Sequence, residues 1–242
     1  METMTKPQPR NLNYLPNKFK LSTWNKLKPY YDELKSRTFN SVTDLEQWIV
    51  DWNELDAVVS EEFGWRYIKI STDTSDEKAQ ELYQYAVAEL GPNLAPYEDA
   101  LNRKLVASPF LADLDQEKFK IHIRGIKNEV ELFREENIQL GVQISLKAKE
   151  YGEIMGAMSV EIDGKKMTLQ QAGALLEETD QARREMVYRA INDRVSQDAE
   201  QLEKLFDELL VLRQKVAEHV DYDNYRDYKF RAMGRFDYTV QD

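Results

Sequence analysis

The chain contains no cysteine, only two histidines, nine glycines and seven prolines in 242 residues. Without thiols it has no disulfide framework, no thiolate zinc or iron–sulfur site and no cysteine nucleophile. Two imidazoles are too few for the common histidine-rich metal sites, and His122 and His219 belong to neither H-E-x-x-H nor E-x-x-H spacing. Each reads instead as a surface or half-buried helix residue. Glycine and proline together reach roughly half their usual share, too few turn formers for an all-β sandwich. Neither G-x-x-x-x-G-K-[ST], G-x-G-x-x-G nor G-x-S-x-G occurs, so phosphate loops and the hydrolase elbow have no sequence support. No apolar run approaches the ~18–20 residues of a membrane span, and the opening METMTKPQPRNLNYLP lacks a signal-peptide core. The expected location is therefore cytoplasmic, with no membrane partner.

What is present is charge and helical periodicity. A net charge of −11 repels phosphate backbones, so no nucleic-acid partner is expected. Val42, Leu45, Ile49, Trp52, Leu55, Val59 and Phe63 recur at three- and four-residue steps, one face of a helix opened by Ser41 and Asp44 at capping-box spacing. Ala79, Leu82, Ala86 and Leu90 form a second face, followed by Gly91-Pro92 as a break or kink. Phe119, Ile123, Ile126, Val130 and Phe133 begin a third stripe that continues less regularly to Tyr151, with Gly141 as a point where it could break. Val187, Ile191, Val195, Ala199, Leu202, Leu205, Leu209, Leu212 and Val216 predict a single helix over about 180–220, uninterrupted by glycine or proline. Met158, Val160 and Ile162 alternate with polar residues before Asp163-Gly164, which predicts one β-hairpin near 158–167. Thr168 and Gln171 then space as a capping box. The expected fold is mainly α, a multi-helix bundle with very long helices and one small hairpin. Residues 1–20, with Pro7, Pro9 and Pro16, read as an arm. Residues 21–110 and 111–242 read as two helical subdomains divided near Ser108-Pro109.

The paired carboxylates Glu61-Glu62, Glu135-Glu136 and Glu177-Glu178 read as solvated helix faces. Segment 218–242 is different: Tyr222, Tyr225, Tyr228 and Tyr238 alternate with aspartates and arginines. Such rings can simply pack with their hydroxyls hydrogen-bonded. Alternatively they line a cleft that grips a peptide backbone, with Tyr225, Tyr228 and Tyr238 as candidates.

Arg213-x-x-x-Ala217, Tyr222-x-Asn224-Tyr225-Arg226-Asp227-Tyr228 and Arg235-Phe236-Asp237-Tyr238-Thr239 resemble a segment of the M3 family of zinc metallopeptidases, the oligoendopeptidase F and thimet oligopeptidase group. Leu15-Pro16, Trp24, Pro29, Glu136-Asn137, Tyr151, Asp163-Gly164 and Thr168-Leu169 resemble the oligoendopeptidase F branch. Only 213–239 is motif-grade. The resemblance implies a helical clam with a deep channel that admits short peptides, and hydrolysis of an internal peptide bond by water on zinc. That zinc is held by H-E-x-x-H and a later glutamate, which in the family lie downstream of the "R-x-D-Y-T" stretch. This sequence contains no such motif, and Val220-Asp221-Tyr222 replaces the common Gly-Phe before "N-Y". The expectation is thus the N-terminal, channel-forming portion of a zinc oligoendopeptidase, inactive alone. No catalytic or metal residue can be transferred to it, and its substrate-binding residues are unknown. Its partners would be short peptides and a C-terminal catalytic part that carries the zinc. The other reading is a free-standing helical interaction module whose 180–220 stripe serves a partner helix.

Overall fold

The computed structural model describes residues 11–242, which fold mainly as helices with one two-stranded antiparallel sheet. Residues 1–10 of the expected arm lie outside the described residues. Two compact units divide the chain: residues up to 69 with 88–133, and residues 70–87 with 134–242. The Ser108-Pro109 turn lies inside the first of these.

In the first unit, α1 (Trp24–Ser36), the 31-residue α2 (Val42–Thr72, to residue 69), α4 (Gly91–Val106) and α5 (Gln116–Leu132) supply the core. The α2 stripe is buried as its spacing requires: Leu45, Trp48, Ile49, Trp52, Leu55 and Val59 are all at most 5% exposed. Ser41 Oγ accepts the amide of Asp44, and the Asp44 carboxylate accepts that of Asn40, one residue before the cap. Packing joins α1 to α4 and α4 to α5. Residues 11–20 are irregular but anchored, because the amides of Asn13, Tyr14 and Leu15 all donate to the Glu54 carboxylate at 2.8–2.9 Å. Lys104 Nζ donates to the carbonyls of Leu34 (3.0 Å), Lys35 (2.8 Å) and Arg37, satisfying the end of α1 with a cation.

The expected break at Gly91-Pro92 takes a milder form. A π-helical turn, Ala86–Leu90, joins α3 (Glu77–Tyr85) to α4 without a break, and this wider turn accommodates Pro92, with Asn93 Nδ2 donating to the Glu89 carbonyl at 2.7 Å.

In the second unit, α6 (Glu136–Ala157) runs straight through Gly141. The break in that stripe comes earlier, at Phe133, which turns extended (ψ 129°). β1 (Ser159–Ile162) and β2 (Lys165–Thr168) pair with Ile162 opposite Lys165. The connecting Asp163 and Gly164 have φ of 52° and 73°, the type I′ turn that Asp-Gly encodes. Thr168 and Gln171 form the reciprocal capping box of α7 (Leu169–Ala174). Val160, Ile162, Ala172 and Val187 make a small core beneath the hairpin, and Arg183 of α8 (Gln181–Ser196) clamps its tip through Asp163 at 2.8 Å.

The single helix expected over 180–220 is instead two, α8 and α9 (Ala199–Glu218). Ser196-Gln197-Asp198 contains neither glycine nor proline, yet serine and aspartate are weak helix formers. The amides of Gln197 and Asp198 bond three residues back, to Arg194 and Val195, which tightens and ends α8. Arg194 pairs with Asp198 at 2.6 Å, and the Asp198 carbonyl starts α9 by accepting from Leu202. α9 packs along α6, and α10 (Tyr225–Ala232) packs on α9.

Candidate functional site

Two groups of polar side chains are candidates for a site, one in each unit. In the second unit, Asn224 caps α10: its Oδ1 accepts the Asp227 amide at 3.0 Å and its Nδ2 donates to Asp227 Oδ2 at 2.9 Å. Arg226 also holds Asp227, first among the causes that keep this carboxyl below the usual carboxylate range. The cap places Tyr225 and Tyr228 side by side, ring centroids 5.8 Å apart, with Tyr222 edge-on to Tyr228 at 6.0 Å and Arg213 of α9 over Tyr225 at 5.8 Å. Burial, then the neighbouring tyrosines, raises the Tyr228 hydroxyl. Of the three candidate tyrosines, Tyr225 and Tyr228 are brought together and are half-buried, whereas Tyr238 is exposed and stands edge-on to Phe230 at 5.2 Å. Replacing Asn224 by alanine should cost about 1–2 kcal/mol through the lost cap. Denaturant titration measures it, and an unchanged midpoint would show that the ring cluster holds α10 without the cap.

The first unit contains a cavity of about 480 Å³ between α2, α4 and α5, lined by Trp52, Asp56, Glu98, Asn102, His122 and Glu129 among others. Sequence reading missed it, because its carboxylates come from three helices and stand singly. Asp56 accepts from the Tyr31 hydroxyl at 3.3 Å, and Glu129 accepts from Asn102 Nδ2 at 3.0 Å. Burial raises Asp56 to about 6, against the opposing hydrogen bond from Tyr31. Burial raises Glu98 to about 7, helped by the negative charges of Asp56 and Glu129. Burial lowers His122, with Glu129 opposing. Three polar atoms lining this space have no hydrogen-bond partner among the described residues: Trp52 Nε1, Asn102 Oδ1 and His122 Nε2. The Trp52 indole nevertheless lies near enough to favour the charged form of Asp56.

The histidines are far apart in role. His122 is half-buried at the cavity, while exposed His219 places Nδ1 2.7 Å from Asn137 Oδ1. Since that oxygen only accepts, Nδ1 carries the proton. No group of three histidine, aspartate or glutamate side chains among the described residues is arranged to hold a metal ion. The donors among the described residues therefore do not fit a catalytic zinc. No helix among them is long and apolar enough to cross a membrane.

Part of the chain matches a known family. Residues 16–133 match the Peptidase M3 N-terminal domain. No curated protein matches the chain in sequence. A Bacillus anthracis str. Ames protein described as an oligoendopeptidase F shares the fold with a TM-score of 0.85 at 20% identity, over 93% of this chain and 41% of that one. PZ peptidase A, solved with an inhibitor, gives 0.85 at 19% identity over 95% and 41%. Oligoendopeptidase-F from Enterococcus faecium gives 0.64 at 15% identity over 85% and 45%. The chain spans 41–45% of the length of these structures, and at such identities they establish the fold. Segment 16–133 is thus similar to the M3 peptidase N-terminal domain, and the chain as a whole resembles in fold the corresponding part of these structures.

Proposed function

We propose that this chain forms a channel wall of a zinc-dependent, cytoplasmic oligoendopeptidase that hydrolyses short peptides. The match of residues 16–133 to the M3 N-terminal domain carries this reading. Water activation belongs to a separate catalytic part bearing H-E-x-x-H, a motif absent from these 242 residues. The half-buried tyrosines 222, 225 and 228 suit contact with a peptide backbone, each offering an apolar ring with a hydroxyl that donates and accepts. Purified alone, the chain should cleave no quenched-fluorescence peptide and retain no stoichiometric zinc. Assembled with an H-E-x-x-H-bearing oligoendopeptidase catalytic part, it should support cleavage that a chelator abolishes. Turnover by the isolated chain, freed of other proteases, would overturn the proposal, as would an assembly that holds no zinc.

The 180–220 stripe that the interaction-module reading assigns to a partner helix is largely buried at Val187, Leu205, Leu209, Leu212 and Val216, so that reading is left with a different set of residues. Phe206, Leu210 and Val211 stay about half exposed on one stretch of α9, as a partner-binding face would. Under that reading, alanine at these three positions should abolish partner binding, and addition of an H-E-x-x-H-bearing part should produce no peptide cleavage.

A further inference from the structure

The cavity of the first unit plays no part in the proposed channel function, yet it is built as a binding site. Its lining is rich in acceptors. Asp56 from α2, Glu98 from α4 and Glu129 from α5 offer carboxylate oxygens. Asn102, only 5% exposed, adds a carbonyl oxygen without a partner. Its amide nitrogen is already committed to Glu129, which fixes that oxygen's role as an acceptor. His122 Nε2 is a further buried atom without a partner, on an imidazole that burial keeps neutral. Against this set stands one donor, the indole N–H of Trp52, itself 3% exposed and close enough to Asp56 to favour its charged form. Buried polar atoms are normally satisfied, so orphaned acceptors beside three carboxylates mark a place for a donor-rich cation.

The donor arrangement does not suit a bare metal ion, because no three acid or imidazole groups among the described residues converge on one point. A volume near 480 Å³ lies in the range of small-molecule sites. Trp52 and Ile126 supply buried apolar wall, and Ile121, 75% exposed, stands at the solvent side. That combination fits an alkyl stem ending in nitrogen.

We propose that this cavity binds a primary alkylammonium group, whose N–H bonds are accepted by Glu98, Glu129 and Asn102 Oδ1. The group comes either from a free amine or from a lysine side chain of a peptide. The inference rests on the cavity alone and not on the peptidase reading. Tyr31 of α1, Asp56 of α2, Glu98 of α4, and His122 and Glu129 of α5 are the titratable groups in or against the cavity. A bound cation stabilises the carboxylates, so binding near neutral pH releases protons from Glu98 and Asp56.

The test is calorimetric titration of the whole chain with 1,4-diaminobutane and with N-acetyl-lysine N′-methylamide, using magnesium as a control. One saturable site is expected for at least one amine, at millimolar affinity or tighter, with heats that change with the buffer's ionisation enthalpy. Tighter binding of the diamine assigns the source as a free amine; tighter binding of the lysine derivative assigns a peptide side chain. Glu98→Gln should weaken binding about tenfold or more while the protein stays folded. The indole N–H resonance of Trp52, identified by its loss in Trp52→Phe, should shift on saturation. The proposal is overturned if neither amine saturates, if Glu98→Gln binds as well as the parent chain, or if magnesium binds in place of the amines.

Discussion

Replacing Trp48 by alanine is expected to destabilise the first unit by about 3–5 kcal/mol, at the upper end of what one core substitution costs. Trp48 is fully buried on α2, edge-on to Phe39 at 5.2 Å and tilted against Trp52 at 5.1 Å. Its indole N–H also donates to the Leu34 carbonyl at 2.9 Å. The two losses differ in size. The Leu34 carbonyl keeps a partner, because Lys104 Nζ donates to it at 3.0 Å. Loss of the indole bond alone should therefore cost only about 0.5–1.5 kcal/mol. Removing the rings opens a void between α1 and α2 that the close packing of a helical core cannot collapse to fill. Trp48→Phe should consequently recover most of the stability, and guanidinium denaturation of both variants decides the matter. Equal destabilisation by phenylalanine and alanine would show that the hydrogen bond, not the packing, dominates.

The second large effect is a stability that falls as pH rises. Glu98 titrates at about 7 and Asp56 at about 6 in the folded chain, both above their ordinary carboxyl values. Between the ordinary values and these raised ones the folded state binds more protons than the unfolded state, so stability declines across that window. The contribution is fully present below about pH 4, where both states are protonated, and is gone above about pH 7. Glu98→Gln removes the charge that burial disfavours. It should raise stability near pH 8 by about 1–3 kcal/mol and flatten the pH profile, since a tenfold change in a carboxylate's proton affinity on folding is worth about 1.4 kcal/mol. A variant whose unfolding midpoint keeps the parent's pH dependence would place the burden on another group.

Much of the fold was legible because it is locally encoded. The α2 stripe, the Asp163-Gly164 turn and the Thr168–Gln171 box each need only residues a few positions apart, and each appears where its spacing puts it. The break between α8 and α9 was not legible, because its apolar stripe passes straight through Ser196-Gln197-Asp198. What ends α8 there is a tightened turn and the Arg194–Asp198 pair, neither of which leaves a glycine or proline behind. Gly141 misled in the opposite sense: tertiary packing of α6 on α9 outweighs a glycine's roughly 1 kcal/mol deficit. The motif-grade stretch 213–239 lies outside the matched domain, so the sequence resemblance and the domain match rest on different parts of the chain. The cavity was invisible because Asp56, Glu98 and Glu129 lie 31 to 73 positions apart on separate helices. Singly, each looks like any solvated helix acid, and the burial that raises Asp56 and Glu98 comes from packing between helices, which spacing along the chain does not encode.

The two-stranded ribbon of β1 and β2 leaves an outer edge on each strand, and such edges are templates for intermolecular strand addition. Here Lys165, Lys166 and Glu161 stand exposed along those edges while Val160 and Ile162 face inward. An incoming strand would have to lie against these charges, so the sheet guards itself against aggregation through its own side chains.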